Sequence, residues 1–201
     1  MTKVVAIMSM SLDGYVADPD GGVAEVFDWY TSGDVPIQTG GSDPMTFTVS
    51  EPSAEHIRTL TAELGAVLTG RVTFDAAGGW GGNHAWGPAY VLTREIPEGW
   101  PRPGSTVHFV TDGVESAVEQ AKAAAAGKDV GVHGADTIQQ LLNAGLLDEL
   151  SIDLAAVLLG SGVRLFEQLA EVPALLGTPT VTVGDGVTHL RYPVRHRQPG
   201  V

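Results

Sequence analysis

Residues 129–150, DVGVHGADTIQQLLNAGLLDEL, decide how this chain folds. They open as an apolar strand, pass through the small-residue turn His133-Gly134-Ala135, and continue as an amphipathic helix. In that helix Ile138, Leu141, Leu142 and Leu146 fall on one face. Leu150, Ile152 and Leu154 then alternate with Ser151 and Asp153, the period of a strand. The small residues at the turn have two readings. They let strand and helix pack closely, or they clear room for a ligand at the helix start, where unpaired N–H groups favour phosphate. Asp136 is placed to cap the helix, with Gln139 completing a capping box, and the two readings are compatible.

Working outward, Val4 to Ser11 is an almost unbroken apolar run, as expected of a strand buried on both faces, and it stops at the turn pair Asp13-Gly14. Residues 18–50 are rich in Gly, Asp, Pro, Ser and Thr, with aromatics at Phe27, Trp29, Tyr30 and Phe47; an excursion this long predicts an active-site loop or lid. A helix is predicted over 52–64, with Ile57, Leu60 and Leu64 on one face and Gly65 as its stop. Ala66 to Thr69 reads as a strand running into Gly70-Arg71-Val72-Thr73-Phe74, and GGWGGNHAWG as a loop. Strands follow at Ala89 to Thr93 and Thr106 to Thr111. The second feeds an alanine-rich helix with Asp112 as N-cap and Glu115 completing a capping box. VTVGDGVTHLRYPV reads as a hairpin. The whole, residues 1–201, is expected to be one α/β domain with a mostly parallel sheet and a closing antiparallel hairpin.

The net charge of −13, with only 11 Lys and Arg, argues against nucleic-acid and anionic-membrane partners. There is no cysteine, which excludes thiol catalysis and disulfides and fits a reducing cytoplasm. The N-terminal stretch MTKVVAIMSMSLDGYVA is too short in its apolar run for a membrane span and lacks the layout of a secretion signal. The six His residues show no ligand spacing, so no metal site is expected. Ser9, Ser11 and Ser161 have no paired base in a recognisable motif. Neither a G-x-G-x-x-G fingerprint nor a P-loop is present.

Three places suit an anionic dinucleotide. One is the turn from His133 through Gly134 and Ala135 into Thr137 and Ile138. The second is Thr69-Gly70-Arg71-Val72-Thr73, a strand end with a fixed cation and two hydroxyls. The third is the strand end Thr93-Arg94. In a chain with so few cations, two arginines at strand C-termini mark the edge where open α/β sheets bind ligands, unless each is a solvated surface charge. Asp13, at the end of a buried strand, is the candidate for substrate contact, or else simply a turn former. A carboxylate is unfavourable beside pyrophosphate, so Asp136 is expected to face away from it or toward substrate.

The order SLDGYVA, LTGRVTFD, GGWGG, YVLTRE, VHGADTIQQLLNAGLLDEL and AAVLLGSGVRLFE resembles the dihydrofolate-reductase-like superfamily. The resemblance is closest to the branch of the riboflavin-biosynthesis pyrimidine reductase domain, and it covers nearly the whole chain. It implies a dihydrofolate-reductase-like fold with NADPH across the strand C-termini and reduction of a small heterocyclic substrate, as by 5-amino-6-(5-phosphoribosylamino)uracil reductase. Gly70, Arg71 and Thr73 match the family's phosphate-binding helix start. Thr93 and Arg94 match the strand end that meets the adenosine 2′-phosphate, and Gly134 to Ile138 the glycine turn beside pyrophosphate and nicotinamide. Asp13 matches a substrate-side aspartate and is the catalytic candidate; Trp80 and Asp136 join it on the substrate side. Three departures stand out. His133-Gly134 replaces Gly-Gly, Asp136 replaces Glu, and the H-x-E and P-C-x-x-C motifs of a fused zinc deaminase are missing. Dihydrofolate reduction, which needs a pterin-binding acid, and a non-catalytic nucleotide-binding role on the same fold are the alternatives. The apolar run from Leu154 to Leu159, with the family likeness, predicts a homodimer.

Overall fold

Val4–Ser11 (β1) is buried along nearly its whole length because it has strands on both sides. Asp129–His133 (β8) and Glu149–Ala155 (β9) each pair with it in parallel, with Val4 opposite Val130 and Val5 opposite Glu149. The computed structural model describes residues 1–170 and 172–195. Beyond β8 the sheet continues through Leu64–Gly70 (β5), Ala89–Leu92 (β6) and Val107–Val110 (β7), all parallel. Beyond β9 the direction reverses: Val187–Pro193 (β12) runs antiparallel to β9, and Thr180–Gly184 (β11) antiparallel to β12. The eight-stranded order is β11-β12-β9-β1-β8-β5-β6-β7, a mostly parallel sheet with a C-terminal hairpin. Two short ribbons complete the strands. Tyr15–Ala17 (β2) pairs with Val163–Arg164 (β10), and Val35–Gln38 (β3) with Thr46–Val49 (β4).

Helices cover both faces. Val114–Ala124 (α4) and Ala135–Asn143 (α5) pack on the face carrying Val4, Ala6, Leu68, Val130 and Val132, and Ile138 and Leu141 of α5 are fully buried there. On the opposite face Glu51–Glu63 (α2) sets Leu60 against Val5 and Ile7, while Arg71–Ala76 (α3) sets Phe74 against Val67 and Val91. Each side chain buried this way contributes about 1.5–3 kcal/mol. Among the described residues no helix is long and apolar enough to cross a membrane.

Residues 18–50 form ordered structure. They hold the short helix Ala24–Phe27 (α1), a 3-10 turn over Asp28–Thr31 and the β3-β4 ribbon. Trp29 is 2% exposed and stacks on Tyr30, which stacks on Phe47, so the excursion carries a small core of its own.

Four local expectations are corrected. Gly65 does not stop α2: it lies inside β5, where a Cβ would sit 2.3 Å from the Ala125 carbonyl oxygen, so glycine lets the strand pass the end of α4. Asp112 does not cap α4. The cap is Gly113 at φ 113°, and Asp112 instead accepts a hydrogen bond from the Ser116 hydroxyl at 3.0 Å. Likewise α5 is capped by Gly134, with no side-chain bond from Asp136, and Gln139 turns inward to the Leu165 carbonyl at 3.0 Å. Leu146 lies beyond the end of α5, packed against the same core.

Candidate active site

The C-terminal ends of β5 and β8 deliver two helix starts side by side. Gly70 precedes α3 and Gly134 precedes α5. A Cβ on Gly134 would lie 2.8 Å from Thr73 Oγ1, and a Cβ on Gly70 would lie 2.8 Å from Thr137 Oγ1. Each glycine is thus fitted against the threonine of the other helix. Gly134 also has φ +92°, a conformation that favours glycine. The Thr69 hydroxyl ties the pair together by donating to the His133 carbonyl at 3.2 Å. Thr137 Oγ1, buried at this junction, has no hydrogen-bond partner. An unsatisfied buried hydroxyl costs about 1–3 kcal/mol.

The other sequence-marked residues divide around this junction. Ala135 and Ile138 turn into the core, so packing accounts for them. Asp136 is exposed on the first turn of α5 and accepts from Gln140 Nε2 at 2.7 Å. Arg71 is paired with Asp75 at 2.8 Å and reaches the Glu95 carbonyl at 3.5 Å. That carbonyl also takes the Thr93 hydroxyl at 2.9 Å, so Arg71 and the turn holding the exposed Arg94 are neighbours. Trp80 packs edge-on to Phe74 at 5.8 Å and to His84 at 4.8 Å, and His84 lies 5.7 Å from His133.

His133 occupies the strand end itself. Its Nδ1 lies 3.1 Å from the Ile7 carbonyl, which as an acceptor assigns the ring proton to Nδ1 and leaves Nε2 a lone pair. Burial drives its pKa from 6.5 down to about 4, so it is neutral at pH 7, stacked on Trp86 at 4.4 Å. Asp13 is engaged throughout. The Ser11 hydroxyl donates to it at 2.6 Å, the Leu159 amide at 3.1 Å and the Gly160 amide at 2.7 Å. Chiefly the Ser11 hydroxyl, helped by these amides, holds its carboxyl below the usual range. An ionised carboxylate with three donors has no proton to give, and Asp13 fastens the loop at 157–160 to the end of β1.

The sequence profile of the RibD C-terminal domain family matches residues 2–189. The chain belongs to that family. It is a family of riboflavin-pathway reductases, which makes this chain an oxidoreductase by class. A candidate riboflavin biosynthesis protein from Shewanella sp. PV-4 is 25% identical, with a TM-score of 0.67 over 98% of this chain and 100% of its own. The bifunctional diaminohydroxyphosphoribosylaminopyrimidine deaminase/5-amino-6-(5-phosphoribosylamino)uracil reductase of Thermotoga maritima is 13% identical, with a TM-score of 0.65 over 96% of this chain. Only 57% of that longer enzyme is spanned. Dihydrofolate reductase from Enterococcus faecalis, solved with NADP(H), is 15% identical, with a TM-score of 0.57 over 96% of this chain and 97% of its own. These last two likenesses establish the dihydrofolate-reductase-like fold. No curated protein matches the chain.

This RibD C-terminal domain carries a second polar region that the sequence did not reveal. Ser9, Asp153 and His189 lie in register across β1, β9 and β12, beneath α2. His189 Nδ1 meets Asp153 Oδ1 at 2.6 Å and its Nε2 meets Ser53 Oγ at 2.9 Å. His56 of α2 stacks on His189 at 4.2 Å, and Trp29 Nε1 donates to Ser9 Oγ at 3.2 Å. Burial, with the charge of Asp153 beside it, raises the Tyr30 phenol well above its ordinary value. Two residues beyond His189 on β12, Arg191 Nε donates to Glu149 at 2.7 Å. The usable signal was the alternation of Glu149, Ser151 and Asp153 with leucine and isoleucine, which marks a polar face that could have been expected to meet a partner.

Proposed function

We propose that this chain is an NADPH-dependent reductase of a small heterocyclic substrate, acting as a 5-amino-6-(5-phosphoribosylamino)uracil reductase does. The observation that carries this reading is the matched pair of helix starts at Gly70 and Gly134, with the buried Thr137 hydroxyl lacking a protein partner. These residues fit a dinucleotide. The first N–H groups of α5 and the hydroxyls of Thr73 and Thr137 offer donors to pyrophosphate, and the glycines bring the two helix starts together. Arg71 and Arg94 suit the adenosine 2′-phosphate, Arg71 by sharing its charge between Asp75 and the ligand. When bound, the cofactor supplies hydride. On the protein side, His133 presents an uncharged Nε2 acceptor suited to a heterocyclic N–H, and Asp13 holds the neighbouring loop. A carboxylate or a water handles the proton.

A charge-assisted contact to the extra phosphate is worth about 1.5–3 kcal/mol, or roughly ten- to hundredfold in affinity. Calorimetry should therefore give tighter binding of NADPH than NADH, and Arg94→Ala should remove most of the difference while keeping NADH affinity. Equal affinity in the parent protein defeats the phosphate assignment, and turnover of dihydrofolate but not of the pyrimidine defeats the substrate assignment. The exposed Leu12, Leu158 and Val183 support a homodimer, which light scattering at micromolar concentration would show as twice the chain mass. The absence of cysteine suits a cytoplasmic setting.

A further inference from the structure

We propose that His56, Asp153 and His189 form a site for a divalent transition-metal ion of the zinc class, joining α2 and β12 to β9. Their three donor atoms lie within 4.8 Å of one another, and the described residues hold no other such group. The deciding atom is His56 Nε2, which is buried and has no hydrogen-bond partner. It stands 3.7 Å from Asp153 Oδ1, too far for a hydrogen bond. A ring nitrogen without a partner and a carboxylate oxygen thus face each other across a gap that a cation would fill.

The spacing is close to what coordination requires. Tetrahedral bonds of about 2.0–2.1 Å put ligand atoms roughly 3.3 Å apart. His189 Nδ1 and Asp153 Oδ1 are nearer, at 2.6 Å, because a proton lies between them. On metal binding that proton moves to Nε2, which then donates to Ser53 Oγ at its present separation of 2.9 Å, and Nδ1 becomes the ligand. The proton count does not change, and Ser53 acts as the outer partner that orients a metal-bound imidazole. Ser50 in turn supports Ser53 at 3.2 Å. The adjacent Arg191 charge is balanced by Glu149 and Glu63. Two imidazoles and one carboxylate select zinc, cobalt or nickel over magnesium and calcium. The same Ser53-His189-Asp153 chain is no hydrolytic triad: Ser53 is 1% exposed, roofed by Gly184 so closely that a Cβ there would come within 2.0 Å of its hydroxyl.

The site does not depend on what the protein reduces, and neither does its test. Untagged, chelator-treated protein is titrated with Co²⁺ and followed by visible absorption, and its Tm is measured with Zn²⁺ and with Mg²⁺. One Co²⁺ per chain with ligand-field bands is expected. Zn²⁺ at a hundredfold excess over Kd should raise Tm by about 5–10 °C, and Mg²⁺ should not raise it. His56→Gln should reduce cobalt affinity at least a hundredfold while leaving the metal-free Tm unchanged or higher, since His56 Nε2 makes no bond to lose. Parent protein without bands and without a zinc-dependent Tm overturns the site. So does His56→Gln protein that binds cobalt as the parent does.

Discussion

At the helix starts of Gly70 and Gly134, Thr137 Oγ1 is left without a protein partner. Beneath α2, by contrast, the run Ser50, Ser53, His189, Asp153 satisfies itself through bonds of 3.2, 2.9 and 2.6 Å. The first region is assembled from two short contiguous segments at strand ends, where glycines let two helix starts approach closely. The second draws single side chains from α2, β9 and β12 and closes over them. The unpaired hydroxyl is a donor for the proposed dinucleotide, whereas a polar group fully paired inside fixes the fold. His56 Nε2 and Ser151 Oγ are the interior atoms left without a partner among the described residues, and His56 Nε2, facing Asp153, is the one around which a metal ion is proposed.

The comparison breaks most decisively at Asp153. Leaving a buried donor without its acceptor costs about 1–3 kcal/mol, so Asp153→Ala should lose at least that much in urea unfolding, because the His189 Nδ1–H is left unpaired. A loss below about 1 kcal/mol would mean the network does not fix the fold.

The histidines give the next largest effect and sharpen the contrast by pH. His133 and His56 are held near 4 and His84 near 3, against an ordinary 6.5, in each case chiefly by burial. The folded protein therefore keeps them neutral where the unfolded chain takes up protons. Their contribution is complete above about pH 6.5 and is lost as pH falls toward 4. The urea midpoint should drop between pH 7 and pH 5, and His133→Gln should make that drop shallower. Parallel profiles for the two proteins would place His133 in solvent.

The smallest change is expected from Thr137→Val. Stability should stay within about 0.5 kcal/mol or rise, as an unsatisfied hydroxyl is removed, while NADPH affinity falls roughly tenfold. Loss of stability with unchanged affinity would make the hydroxyl a packing atom and the two regions alike.

Much of the fold was legible because its signals are local. The unbroken apolar run of β1, the alternation in β9 and the helical period of α5 each lie within one stretch of sequence. The two expected helix caps failed for a specific reason. Gly113 at φ 113° and Gly134 at φ 92° hold the cap positions, and a side-chain N-cap needs extended backbone there. At the helix starts Gly70 with Thr73 and Gly134 with Thr137 could be read because each lies within four residues, though not that each glycine faces the other's threonine. The tie between Asp13 and Gly160, and the meeting of His56 with His189, could not: sheet register creates them, and nothing local encodes it.

The place of β1 between β8 and β9 also governs how the protein emerges during synthesis. Val4–Ser11 precedes both of its neighbours in the chain, strands 129–133 and 149–155. At about 5–20 residues per second, Val4–Ser11 waits on the order of ten seconds on the ribosome for either edge to be covered. Throughout that interval an apolar strand with two open edges is exposed to chaperones and to other nascent chains. The sheet closes around it only when residues 129–150 have left the exit tunnel.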